Sequence, residues 1–146
     1  MRDIKFRGKR VDNGKWIKGD LIKHSIIDPF TYIAKGTGYK YNDIEIGKPI
    51  KVFPETAGQY TGLKDKKRTK EFPDGQEIYE GDIVKGSIWT WRKEKNMKVE
   101  FDEDLCGYEP FCQVYETCEG NDNIPPYMVE VVGNIYENPE LMEKKS

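Results

Sequence analysis

Apolar and polar residues alternate with a period of two along most of this 146-residue chain. Strand side chains point to opposite faces in turn, so such alternation predicts half-buried strands. The first case sets Ile4 and Phe6 against Lys5 and Arg7. A second run carries Trp16, Ile17, Leu21, Ile22, Ile26 and Ile27. Between them lies Asn13-Gly14, a dipeptide suited to a type I′ turn, so the chain is expected to open with a β-hairpin. Phe30–Ala34, Ile44–Ile46 and Ile50–Phe53 are further β-prone pieces, punctuated by Gly36, Gly38, Gly47, Pro49 and Pro54. No run of apolar residues at helical spacing lasts three turns.

The stretch from Ile78 to Trp91 is the clearest strand signal, with a tight turn at Glu80-Gly81-Asp82 before Ile83-Val84. Lys98–Asp104 is expected to point Val99 and Phe101 inward. Phe111, Val114 and Tyr115 suit another strand. Tyr127–Leu141 reads as a strand, a Gly133-Asn134 turn or bulge and a last short strand, with a short helix or fraying tail from Pro139. Many short strands at close spacing predict a mostly β fold with little helix, a small barrel or sandwich of short antiparallel strands. By analogy, Gly81-Asp82-Ile83-Val84 suggests an SH3-like C-terminal part. The length fits a single domain over 1–146, divisible into two β sub-lobes at about 1–58 and 59–146.

Composition adds constraints. The chain is 36% hydrophobic and 34% charged, with three Trp, nine Tyr and six Phe. A compact ordered core rich in aromatics is expected, not a disordered chain. The net charge of −2 is unevenly spread. Residues 1–98 hold 22 Lys and Arg against 14 acids, and residues 99–146 hold 2 against 12. Either an acidic half complements a basic one, or the basic part faces nucleic acid. No apolar stretch is long enough to span a bilayer, and the N-terminus has no signal-like apolar core, so a cytoplasmic location without membrane contact is expected. Three cysteines argue against a closed disulfide framework.

The most concentrated charge is Lys64, Lys66, Lys67, Arg68 and Lys70, opposed within that stretch by Asp65. Gly62 has no second glycine at Walker spacing and no helix follows, so an NTPase phosphate loop is not expected. A solvated basic loop is the leading reading, and a contact to nucleic-acid backbone the alternative. Trp89 and Trp91 share one face of any strand that holds them. Exposed, they could stack bases while Arg92, Lys93, Lys95 and Lys98 hold phosphates. The competing reading buries them in the core. Glu100, Asp102, Glu103 and Asp104 lack the glycine-centred spacing of a calcium loop. Cys106, Cys112 and Cys118 stand six apart, unlike close zinc-ligand pairs, and the single His24 is remote in sequence. No cofactor, metal or catalytic residue is expected.

Four stretches together resemble the YopX family of phage and prophage proteins: IKFRGKR (4–10), QYTGLKDKK (59–67), EIYEGDIV (77–84) and VEVVGNIYENPEL (129–141). The resemblance implies a mostly β fold, a phage or prophage origin in a bacterial host and no established activity. It offers no catalytic residue to carry over. It also marks KRTKEFPDGQ (67–76) as longer than the usual link, an inserted turn between two β-structured shoulders. The function expected first is a non-enzymatic binding or assembly module acting through a host or phage protein, or as a homo-oligomer. Nucleic-acid binding through Lys64–Lys70 and Trp89/Trp91 is the alternative. A carboxylate-based hydrolase comes third.

Overall fold

The computed structural model describes residues 1–23, 30–40, 43–87, 94–112 and 124–143. The chain divides into two compact units, Met1–Tyr60 and Thr61–Ser146. Mostly β architecture is what the alternation predicts, and it is what forms: thirteen strands and three short 3-10 turns among the described residues.

In the first unit, β1 (Phe6–Lys9) and β2 (Trp16–Lys23) form the expected hairpin. They are joined in antiparallel fashion by β3 (Thr31–Ala34), β6 (Ile50–Val52) and the start of β7 (Gly58–Lys64), in the order β6-β3-β2-β1-β7. β4 (Gly36–Lys40) and β5 (Asp43–Ile46) pair as a separate ribbon, its base closed by the Gly47 amide donating to the Lys35 carbonyl at 2.8 Å. The register sets Ile17 opposite Gly8, Leu21 opposite Ile33 and Ile33 opposite Ile50. These residues therefore share one face, where Ile17, Ile33 and Val52 are buried against Phe6, Leu21 and Ile50. The opposite face of β1 and β2 carries Arg7, Lys9, Trp16 and Lys18 by the same alternation.

The β1–β2 turn is not the expected type I′, which needs two left-handed residues. Gly14 has φ +68, but Asn13 does not share the positive sign. The Asn13 Oδ1 instead accepts the Lys15 amide at 2.9 Å, and the ladder closes on Arg10 N–H to the Lys15 carbonyl. The asparagine side chain thus takes over a turn bond that a second left-handed residue would have replaced.

The second unit continues β7 and adds β8 (Glu77–Tyr79) beside it. β9 (Asp82–Ser87) is flanked by β10 (Glu94–Lys98) and β13 (Glu130–Asn134), while β11 (Glu100–Asp102) and β12 (Gly107–Glu109) pair alone. Ile78, Val84, Val99, Tyr108, Ile124, Val129 and Val131 form its core. The expected tight turn before β9 is held by Asp82, whose buried carboxylate accepts the Tyr79 amide at 2.8 Å. Two expectations shift here. Phe101 is 46% exposed, its ring set edge-on against Tyr108, because β11 belongs to the small ribbon and not to the core sheet. Among the described residues no strand follows β13: after its bulge at Val131/Gly133, Asn134 Oδ1 accepts the Tyr136 and Glu137 amides and curls the chain into a turn. A 3-10 turn at Pro139–Met142 ends the described chain.

No sheet closes into a barrel among the described residues. In the second unit the physical reason is local. The far edge of β13 is occupied by residues 65–67, not by a further strand, so the three-stranded sheet stays open and an SH3-like part is not established.

Candidate functional site

The lysine-rich segment after β7 is built around Asp65, which is 1% exposed. Its Oδ1 accepts the Lys67 amide at 2.9 Å and the Gln76 amide at 2.8 Å, and its Oδ2 accepts the Val131 amide at 2.9 Å. The Asp65 amide donates to the Gln76 carbonyl, closing the loop at its base. Gly75 sits across this base with φ +98, and any Cβ there would lie 2.3 Å from the Asp65 carbonyl oxygen. The loop thus needs a glycine at this point both for its backbone sign and for space.

The same bonds lay the segment along the edge of β13. Lys66 N–H reaches the Val129 carbonyl at 2.9 Å. The Lys67 ammonium donates to the Val131 carbonyl at 2.9 Å and to Gln76 Oε1 at 3.1 Å. Arg68 folds back, its Nη1 donating to the Asp65 and Lys67 carbonyls at 3.0 and 2.8 Å. An open strand edge is a hazard for unwanted pairing, and a covering loop removes it. Lys64, Lys66 and Lys70 remain exposed. Lys66 also lies near enough to Glu94 to help hold that carboxyl below its ordinary range, after the larger effect of the Lys85 hydrogen bond, 2.7 Å long. Much of this local charge already has a structural use.

Trp89, Trp91, Arg92 and Lys93 lie outside the described residues, as do His24 and Cys118. Lys98 pairs with Glu100 at 2.6 Å. Asp102 Oδ1 accepts the Leu105 amide at 2.9 Å, a turn contact, with Glu103 and Asp104 in solvent. Cys106 is exposed. Burial, helped by Glu109 and Asp102, pushes the Cys112 thiol above its ordinary pKa. Among the described residues no three potential ligands gather into a metal-binding group.

A different cluster of charge appears in the first unit. A cleft of about 570 Å³ is lined by Arg10, Lys15, Lys18, Lys35 and Lys48, with Trp16, Ile17, Gly47 and Ile50. Three separate segments build it. The end of β1, its turn and the start of β2 supply Arg10 through Lys18. Lys35 comes just before β4, and Gly47 to Ile50 lead into β6. Lys15, Lys18, Lys35 and Lys48 are exposed, Trp16 and Ile50 are half-buried and Ile17 is buried. Cations and apolar residues therefore both line the cleft, and among the described residues no carboxylate does.

Hairpin geometry sets part of this arrangement. Trp16 and Lys18 alternate onto one face of β2, and the Arg7 guanidinium on β1 lies 4.8 Å from the Trp16 ring, a cation–π contact that fixes the indole from one side. Arg10 is bound by Asp12 through two bonds, 2.9 and 2.5 Å. This pair raises the Arg10 pKa and holds the Asp12 carboxyl below its ordinary range, the hydrogen bond being the main cause of both. Asp12 stands in an adjoining recess of about 420 Å³ that shares Arg10, Lys48 and Ile50 and adds Lys51. By contrast, the Lys15, Lys35 and Lys48 ammonium groups form no ion pair among the described residues. Cations gathered with few acids beside them create a positive potential that favours an anion.

None of these residues stands out in sequence, because no two of Lys18, Lys35 and Lys48 are within ten positions of each other. The signal was regional: residues 1–60 hold 12 Lys and Arg against 7 Asp and Glu.

A family model described as YopX protein matches residues 5–143, nearly the whole chain, and the chain belongs to the YopX family. No curated protein matches it. Among solved structures, the crystal structure of protein EF1440 from Enterococcus faecalis is similar, with a TM-score of 0.54 and 24% identity over 98% of this chain and 100% of that one. That likeness is one of fold.

Proposed function

We propose that this YopX-family chain is a non-enzymatic binding module whose first unit holds the phosphate backbone of nucleic acid. The observation that carries the reading is the convergence of Arg10, Lys15, Lys18, Lys35 and Lys48 on one cleft with no lining carboxylate among the described residues. Phosphates release counterions when they meet such a cluster, and that release drives sequence-independent binding. Lysine and arginine side chains beside apolar residues suit holding a ligand more than moving its protons. The Lys64–Lys70 segment plays a lesser part in this reading, since Lys67 and Arg68 are tied to their own loop and to β13.

The test is a salt titration of labelled DNA and RNA binding to the full chain. Affinity should fall steeply as salt rises, and Lys15→Ala, Lys35→Ala and Lys48→Ala should each reduce the slope. Affinity flat across the titration, or no binding at low salt, overturns the reading and returns attention to a protein partner.

A further inference from the structure

We infer that the cleft and the recess beside it form one trough for a ribonucleotide strand, in which Asp12 accepts the 2′-hydroxyl of one sugar. The inference rests on the phosphate reading above and adds what tells RNA from DNA, since phosphate contacts by themselves are a matter of charge. The two hollows share Arg10, Lys48 and Ile50. The cleft has cations and no carboxylate among the described residues, whereas the recess adds Asp12 and Lys51 with Val11 and Pro49. A backbone phosphate drawn to Arg10 and Lys48 stands at their shared wall, and the sugar attached to it enters the recess.

Asp12 decides what the recess can take. Arg10 holds its carboxyl ionised, so it accepts hydrogen bonds and donates none. A carboxylate repels a second phosphate and favours a neutral hydroxyl donor. Each Asp12 oxygen accepts one bond from Arg10 and keeps further acceptor capacity, and the side chain is 60% exposed. The same two bonds fix the carboxylate before any ligand arrives, which lowers the ordering cost of binding. Exposed Val11 and Pro49 beside it suit the C–H face of a sugar ring. A ribose within a strand has one free hydroxyl, the 2′-OH, and a deoxyribose has none, so this contact separates RNA from DNA.

The experiment measures fluorescence anisotropy of the full chain with labelled oligouridylate, oligodeoxyuridylate and 2′-O-methyl oligouridylate, each about a dozen nucleotides long. Oligouridylate should bind about fivefold more tightly than the deoxy strand, the scale of one hydrogen bond exposed to water. The 2′-O-methyl strand keeps the ribose and removes the donor, so it should bind like the deoxy strand. Asp12→Ala should bring the ratio of RNA to DNA affinity to about one, whereas a merely structural role for Asp12 would move all three strands together. Asp12→Asn keeps an acceptor oxygen and should retain most of the preference. Should Asp12→Ala fail to fold, the 2′-O-methyl strand still decides, because it needs no variant.

Equal, salt-sensitive binding of the RNA and DNA strands, or tighter binding of DNA, overturns this inference and leaves the phosphate reading standing. A preference for RNA that the 2′-O-methyl strand shares, or that Asp12→Ala keeps, also overturns it. Absence of salt-sensitive binding to any strand overturns both.

Discussion

The Lys64–Lys70 segment and the first-unit cleft each hold five cationic side chains, and the two regions use them differently. In the segment, five cations crowd seven positions of sequence. A buried carboxylate organises the backbone, one ammonium is spent on a strand-edge carbonyl and one guanidinium on the loop itself. In the cleft, the cations come from positions 10, 15, 18, 35 and 48, and three of them form no ion pair among the described residues. Local charge density is therefore a poor guide to which cations lack an internal partner. A dense run must be supported by its own chain, and support consumes charge. Dispersed residues need no such compensation: Lys18 lies within β2, the Arg10 amide bonds the Lys15 carbonyl, and the Lys35 carbonyl accepts the Gly47 amide.

The sharpest way to break this contrast is Asp65→Ala. It leaves the amides of Lys67, Gln76 and Val131 without their acceptor in a buried site. Hydrogen bonds to a charged group contribute about 1.5 to 3 kcal/mol each and are not additive, so a loss of about 3 to 5 kcal/mol is expected in urea denaturation. A change below about 0.5 kcal/mol would show that the segment is not organised by Asp65.

Next in size is the triple change Lys15→Ala, Lys35→Ala and Lys48→Ala. Each single-strand phosphate contact is worth about fivefold in affinity near 0.1 M salt, so together they should cost about 100-fold. The melting temperature should hold, since these side chains are exposed. A triple change of Lys64, Lys66 and Lys70 to Ala should cost less than threefold. Equal losses from the two triples would erase the distinction between the regions.

Lys67→Met comes third. It keeps the aliphatic stem and removes the bonds to the Val131 carbonyl and Gln76, so stability should drop by about 1 kcal/mol while nucleic-acid affinity stays within twofold. A reversed pattern, affinity lost and stability kept, would reassign Lys67 to the ligand.

The smallest effect belongs to Asp12→Asn, which releases Arg10 toward the cleft. Affinity should rise two- to threefold at neutral pH with little change in melting, because an exposed ion pair contributes little. The pH dependence follows from the sign of the shift. Asp12 is held below its ordinary range, so its pairing persists above that range and is lost only as pH falls through the lowered value. Arg10 should therefore stay engaged between about pH 5 and 8, and in that window only the substitution should raise affinity.

Much of the fold was legible in the chain. Alternation around Ile17 and Leu21, and the Glu80-Gly81-Asp82 turn before Ile83, each became the element expected. The errors came where a side chain replaced a backbone device. Asn13 Oδ1 took the place of a second left-handed turn residue, and Asn134 Oδ1 ended the chain's last strand where periodicity would have resumed it. Phe101 has the alternation of a core residue, but whether a strand joins the main sheet depends on a partner that sequence period does not name.

By itself the sequence determined that strands would form, where several turns would fall, that the chain resembles one family, and that its basic residues gather before residue 99. Those properties are local or additive, set by side-chain alternation and by counting charge. The tertiary structure alone decided which cations bond to their own chain and which gather at the cleft. That choice depends on Val131 reaching Asp65 across 66 positions, and on antiparallel pairing that brings Lys15, Lys35 and Lys48 to one cleft. Such proximity is created by chain closure, and no window of neighbouring residues contains it.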